Sequence, residues 1–305
     1  MLQQLINFLY RHPKAGLKKI KRFGGYLNYR KMIKERKLME QASFDLPPVI
    51  STTEGLSIYF LTGKNYLYQT LFCIQSLTKV TKSKFRFILI DDGSFDAKLI
   101  ERIHIQIPCA EIITQKIIEQ NLHQNLPLDK YPYLHQKRRV YPHIKKLTDI
   151  HTILHNPWKL VLDSDMLFWN EPAQMIDWLK NPNNPLHMVD CEESYGYSYK
   201  LMEALCGFKM RNLINVGAIG LNSRQINWDS IENWAKTLEE KEGASYYLEQ
   251  ALTAMLVSNS GSVILNANEY VVNPNKQMII NKNGVLHHYV DLSKEGYFKE
   301  AWKLI

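Results

Sequence analysis

Two nearly continuous apolar runs decide what this chain can fold into. "LSIYFL" (56–61) and "FRFILI" (85–90) do not alternate between hydrophobic and polar residues. The strands they predict are therefore buried on both faces, as in parallel sheets. "KLVL" (159–162) and a shorter stretch at 110–113 read the same way. Between the strands, Leu67, Leu71, Ile74 and Leu77 recur at helical spacing, and residues 96–104 and 140–155 also read as helices. Strand and helix in this rhythm predict an α/β fold, a mostly parallel twisted sheet flanked by helices on both faces. Such sheets bind ligands at the carboxyl ends of their strands.

Composition narrows the class and the partners. The 305 residues are 45% hydrophobic and 22% charged, ample for a core and unlike a disordered chain. The net charge of +8 is concentrated in one place: residues 1–40 hold eleven Lys/Arg against two Asp/Glu, whereas the remainder has 27 basic and 28 acidic residues. A neutral body argues against nucleic acid as a partner. The chain divides on this reading into a basic N-terminal extension, residues 1–50, and a domain spanning 51–305. Within the extension, Leu2, Leu5, Ile6 and Leu9 mark one helical face, Pro13 ends or bends that helix, and Lys14, Lys18, Lys19, Lys21 and Arg22 follow. An apolar face beside a basic cluster suits an anionic membrane surface. A helix packed on the body with a solvated basic face would give the same pattern. No apolar stretch reaches the roughly 18 to 20 residues of a membrane span, and the order of charges does not match a secretory leader. Cys73, Cys109, Cys191 and Cys206 lack metal-site spacing and read as buried free thiols. A cytoplasmic protein, attached to membranes peripherally if at all, is expected.

Two aspartates interrupt the greasy run "KLVLDSDMLFWNEP" (159–172). Unpartnered buried carboxylates are costly, so Asp163 and Asp165 need something to hold. In extended backbone, residues two apart share a face, which projects both carboxylates together and turns Ser164 away. Convergent carboxylates at a strand end can share a hard divalent cation that keeps positions open for phosphate oxygens. An acidic strand end exposed to water is the plain alternative. "DDGS" (91–94) closes the second strand with turn chemistry. Alone it would be an ordinary turn; in that position it suits hydrogen bonding to a nucleoside.

At these residues the sequence resembles a known group. "LVLDSDMLF" is similar to the D-x-D motif of A-type-fold glycosyltransferases, which use nucleotide-diphosphate sugars. "IYFLTGKNYLYQTLFCIQSL" and "FILIDDGSF" resemble the nucleoside-binding half of that fold. Later segments look closest to the retaining family that contains glycogenin and bacterial lipopolysaccharide galactosyltransferases. Its N-x-G-V pattern matches "NVGAI" at Asn215 and Gly217, with Ala218 where valine is usual. Its D-Q pair resembles Glu249-Gln250, and its C-terminal H-[FY]-x-G-x-x-K resembles "HYVDLSK", giving His288 and Lys294 with Asp291 in place of the glycine. A family arginine falls near Lys145 or Lys146. The resemblance, which covers about residues 56–300, implies a site in which Asp163, Asp165 and His288 bind Mn²⁺ or Mg²⁺. Thr62, Asp91, Asp92, Lys145, Lys146 and Lys294 would hold the nucleotide-diphosphate sugar, and Asn215, Glu249 and Gln250 would act at the sugar. It further implies a glycan or lipid-linked acceptor.

Each residue also has a plain reading. Asn215 could cap a turn, Glu249 and Gln250 could lie on a solvated helix face, and Lys294 could be a surface lysine. Cys191, Glu192 and Glu193 follow the short strand "HMVD" and could face an acceptor. An inverting enzyme of the same fold would need a carboxylate base, which Glu192, Glu193 or Glu249 could supply. A nucleotidyltransferase would share the sheet and metal but needs a glycine-rich loop after its first strand, where "LTGKNYLYQ" offers one glycine. A non-catalytic membrane-associated binding protein would keep the basic N-terminus but could dispense with the paired acidic loops.

Overall fold

A computed structural model describes residues 12–258 and 261–305. The apolar runs form β1 (Leu56–Thr62) and β2 (Phe85–Asp91), followed by β3 (Glu111–Ile113) and β4 (Trp158–Leu162). Short strands β5 (Met166–Phe168) and β6 (Leu186–Val189) precede the long β7 (Ile214–Asn222), and β8 (Val263–Ile264), β9 (Tyr270–Val272) and β10 (Leu286–His288) complete the set. The main sheet has the order β3-β2-β1-β4-β7-β6-β8. β1, β2, β3 and β4 pair in parallel, while β7 runs antiparallel to both β4 and β6. This is the mostly parallel sheet that the uninterrupted apolar strands predict. Helices cover both faces: Leu67–Val80 packs on one, and Lys145–His151 with Leu248–Ser258 on the other.

The chain leaves the main sheet at the end of β4 and enters a second, three-stranded sheet, β5-β10-β9. Asp163 and Asp165 occupy the turn between the two sheets. The register of β10 on β5 sets His288 opposite Met166, and Tyr289 N–H donates to the Asp165 carbonyl at 2.9 Å. Near-neighbour strands thus bring residues more than 120 positions apart to one point.

Several local expectations need correction. The helix expected over 140–155 is split: Pro132–Val140 ends before Pro142, a single 3₁₀ turn spans Pro142–Ile144, and Lys145–His151 resumes. Proline lacks the N–H and fixes φ, so it starts a helix more readily than it continues one. Pro13 lies in the first turn of the helix His12–Arg22; the helix it is expected to end or bend falls outside the described residues. The apolar stripe Leu2, Leu5, Ile6 and Leu9 lies outside the described residues. Of the four thiols, Cys73 and Cys206 are buried, whereas Cys109 and Cys191 are exposed, and none forms a disulfide. No helix among the described residues is long and apolar enough to cross a membrane.

Residues 26–42 form a helix, Tyr26–Ala42, against the C-terminal helix Lys294–Lys299. Met32 and Met39 are buried there with Tyr68, Phe72, Tyr289, Tyr297 and Phe298. The Tyr289 and Tyr297 rings stack with centroids 4.6 Å apart. This third core cluster supports the segment that carries His288 and Lys294.

Candidate active site

The site lies at the carboxyl ends of β1, β2 and β4, where the loops leave the sheet. The backbone at 163–165 is bent rather than extended, yet the alternation holds. The Ser164 hydroxyl turns inward to Thr70 Oγ1 at 2.8 Å, leaving the two carboxylates on the other side. His288 Nε2 lies 3.6 Å from Asp163 Oδ2 and 3.5 Å from Asp165 Oδ1. One ligand atom from each of the three residues falls within 4.8 Å of the others.

The tautomer of His288 suits a cation. Its Nδ1 is 3.1 Å from Asn215 Oδ1, an oxygen that also accepts the Gly217 N–H at 3.0 Å. Asn215 Nδ2 in turn donates to Asp190 Oδ2 at 3.1 Å, which fixes the amide's orientation. Nδ1 must then carry a hydrogen, which leaves Nε2, facing the aspartates, as the ring nitrogen able to ligate a cation, an outer-shell arrangement typical of a metal-binding imidazole. Gly217 is required for this approach: a Cβ there would meet His288 Cε1 at 2.3 Å. Two carboxylates and one imidazole nitrogen are a donor set that fits a divalent cation.

Two lysines flank the aspartates. Lys146 is buried, and its Nζ donates to Asp163 Oδ1 at 2.7 Å and to the Val216 carbonyl. The buried Arg138–Asp149 pair, with bonds of 2.6 and 3.0 Å, anchors the helix that carries Lys146. Burial works against the Lys146 ammonium, but Asp163 and Glu249 hold its pKa above the ordinary lysine value. Lys294 Nζ is 3.1 Å from Asp165 Oδ2, and Asp165 raises its pKa. Burial alone would push the Asp165 carboxyl up; Lys294 and His288 instead hold it far below the usual carboxylate range. Both partners of this pair are therefore charged at neutral pH.

Lys145, the alternative to Lys146, reaches a different place. Its Nζ donates to the Asp92 carbonyl at 2.7 Å in the "DDGS" loop. Within that loop Asp91 is buried, and its Oδ1 accepts the N–H groups of Gly93, Ser94 and Phe95 at 2.7, 3.0 and 3.0 Å. Asp92 accepts from Ser94 N–H at 3.0 Å and crosses Gly63, where a Cβ would meet Asp92 Oδ1 at 2.1 Å. Thr62 is wholly buried, with its hydroxyl 2.8 Å from that of Thr70. Thr62 and Asp91 thus shape the loops through internal bonds, while Asp92 and Lys145 lie nearer the surface. The loops from β1 and β2 interlock through these contacts.

Asn215 and Gln250 come together behind His288, while Glu249 faces Thr253 and Lys146. Gln250 Nε2 donates to Asp190 Oδ2 and to the Ile214 carbonyl, both at 3.0 Å. Asp190, absent from the sequence-based candidates, is the hub: one carboxylate oxygen binds the amides of both Asn215 and Gln250. Its signal is that it directly follows a strand, β6, as Asp163 follows β4. Glu249 is buried, accepting a 3.2 Å bond from the Thr253 hydroxyl. Burial pushes its pKa up to about 7, Lys146 draws it down, and Asp163 adds to the rise. Glu192 and Glu193 are exposed, as is Cys191, beyond the end of β6.

No family model and no curated protein matches this sequence. Solved structures do. A galactosyltransferase, LgtC, determined in complex with donor and acceptor sugar analogues, is 16% identical with a TM-score of 0.54, over 82% of this chain and 96% of that one. Mouse xyloside xylosyltransferase 1, in its apo form, is 12% identical with a TM-score of 0.52, over 79% of this chain and 98% of that one. WbbM, a bifunctional glycosyltransferase, gives a TM-score of 0.52 at 11% identity, over 85% of this chain and 52% of that one. The chain therefore has the fold of these glycosyltransferases, the A-type architecture that its motifs imply.

Proposed function

We propose that this protein is a metal-dependent glycosyltransferase that moves a sugar from a UDP-linked donor to a hydroxyl of a glycan or lipid-linked acceptor, with retention of configuration. The carrying observation is the convergence of Asp163, Asp165 and His288 within 4.8 Å at the strand ends of a glycosyltransferase fold. Asp163, Asp165 and His288 Nε2 would hold Mn²⁺ or Mg²⁺. When bound, the cation supplies Lewis-acid stabilisation of the charge on the departing nucleoside diphosphate. Lys294 and Lys146 add fixed positive charge on either side of the aspartates, which favours a transition state richer in phosphate charge than the ground state. Asp92 and Lys145 would bound the nucleoside side of the cleft. Asn215 and Gln250, held by Asp190, would orient the sugar, with Glu249 beside them. Retention is supported by the match of Asn215, Glu249 and Gln250 to the retaining family's pattern. The basic N-terminal helices, where Leu17 is exposed beside Lys18 and Lys19 and Leu27 is exposed as well, support peripheral attachment to an anionic cytoplasmic membrane surface.

The experiment is a screen of UDP- and GDP-sugars for hydrolysis by the full-length protein with Mn²⁺, Mg²⁺ or chelator. Hydrolysis of one UDP-sugar that chelator abolishes is the expected result. Equal rates in chelator and in Mn²⁺, or no turnover of any donor, would overturn the proposal.

A further inference from the structure

Asp291 lies midway between two residues of the site, three after His288 and three before Lys294. Its φ of 45° falls in the left-handed region, which L-residues other than asparagine and aspartate seldom adopt. The Lys294 N–H donates to the Asp291 carbonyl, so the turn at Asp291 sets where the Lys294 side chain begins. The Asp291 carboxylate is gripped from a distant part of the chain. Arg22 Nε donates to its Oδ1 at 2.7 Å, and a terminal guanidinium nitrogen donates to its Oδ2. Arg22 ends the helix His12–Arg22, and the residues beyond it are anchored as well. Phe23 is buried, and Asn28 Nδ2 donates to Glu295 Oε1 at 2.8 Å.

We propose that the Arg22–Asp291 pair is a positioning element, in which the guanidinium fork holds Asp291 in its left-handed turn and thereby fixes residues 288–294, setting Lys294 against Asp165. The consequence for donor binding rests on the function proposed above, in which Lys294 meets the diphosphate. A fork engaging both carboxylate oxygens constrains orientation, which a lysine point charge cannot do. Glycine adopts a positive φ without steric cost, so the two residues act as a unit. With aspartate at 291 the arginine is needed, and with glycine it is not.

The test compares full-length wild type with Arg22→Ala, Arg22→Lys, Asp291→Gly and the Arg22→Ala/Asp291→Gly double variant. Two readouts are taken: amide hydrogen exchange across 289–294 without ligand, and calorimetric affinity for UDP in Mn²⁺. Arg22→Ala should speed exchange in 289–294 but not in β1 or β4, and weaken UDP binding by about two- to fivefold, the range of a half-exposed ion pair. Arg22→Lys should recover part of the loss, and Arg22→Ala should add nothing in the Asp291→Gly background. Unchanged exchange in Arg22→Ala, or equal acceleration in both backgrounds, would overturn the pairing. Faster exchange with unaltered UDP affinity would overturn its role at the donor site. A wild type that binds no UDP in Mn²⁺ would sink the donor-site reading instead, and the exchange comparison would still decide the pairing.

Discussion

Replacing Glu249 by glutamine should make the protein's stability less sensitive to pH. Only 6% of Glu249 is exposed, and burial raises its carboxyl from the ordinary 4.5 to about 7. Between those values the folded protein holds a proton that the unfolded chain has released. The stabilisation from protonated Glu249 is thus complete below pH 4.5 and lost as pH rises towards 7. At about 1.36 kcal/mol for each tenfold change in proton affinity, the whole gap is worth about 3 kcal/mol. Glutamine mimics the protonated acid and keeps an oxygen for the Thr253 hydroxyl, so its variant lacks this dependence. Urea unfolding without added metal, at pH 5 and pH 8, measures the difference. The wild type should lose about 2 to 3 kcal/mol more than Glu249→Gln between the two conditions. Parallel stability profiles for the two proteins would refute the argument, and would mean that Lys146 already keeps Glu249 ionised in the folded state.

His288→Ala should raise the Mn²⁺ concentration needed for activity about 10- to 100-fold. His287→Ala should leave that midpoint alone but lower the melting temperature, because His287 bonds Trp169 Nε1 and the Asn283 carbonyl inside the core. A metal titration and a thermal scan of both variants check this pair. Asp190→Asn should cut sugar transfer by at least tenfold while UDP affinity in Mn²⁺ changes little, because Asp190 touches Asn215 and Gln250 rather than the aspartates; steady-state kinetics beside calorimetry would separate the two. Deleting residues 1–25 should reduce sedimentation with anionic vesicles at low salt, an effect that rising salt erases in the wild type. Met39→Ala, inside the third cluster, should cost about 2 to 4 kcal/mol in urea unfolding.

The main sheet was legible because its strands are buried on both faces and announce themselves as unbroken apolar runs. The antiparallel β7 was not, since "NVGAIGL" carries no sign of direction, and neither was the register shift between His187 and Met188. The second sheet is built from three-residue strands, too short for periodicity to register. Asp163 and Asp165, which the structure brings within 4.8 Å of His288, stand out in the sequence as paired carboxylates at the end of an apolar strand, and His288 through the resemblance of "HYVDLSK" to a known pattern. The one sequence signal of Asp190, its place directly after a short strand, is too weak to single it out until Asn215 and Gln250 are seen to share it. Thr62 and Asp91 carry a second role that their positions at strand ends do not announce: their side chains hydrogen-bond within the site, Asp91 to its own loop and Thr62 to Thr70. The aspartate at 291 stands where the resembled pattern has glycine and adopts a glycine-like backbone, a conformation that sequence cannot display.

The packing of Met32 and Met39 against Tyr297 and Phe298 also has a consequence for how the protein is made. These partners are separated by some 260 residues, which at ordinary translation rates is on the order of 10 to 50 s of synthesis. Through that interval the segment 26–42 lacks packing partners for its apolar residues, while the strands β1 to β4 can pair with nearer neighbours. Its two methionines and Phe23 are then exposed apolar surface on a basic, nascent segment, suited to transient shelter by a chaperone or a lipid headgroup layer. The wall behind His288 and Lys294 can close only once Tyr297 has been made, by which time β1 to β7 are already synthesised.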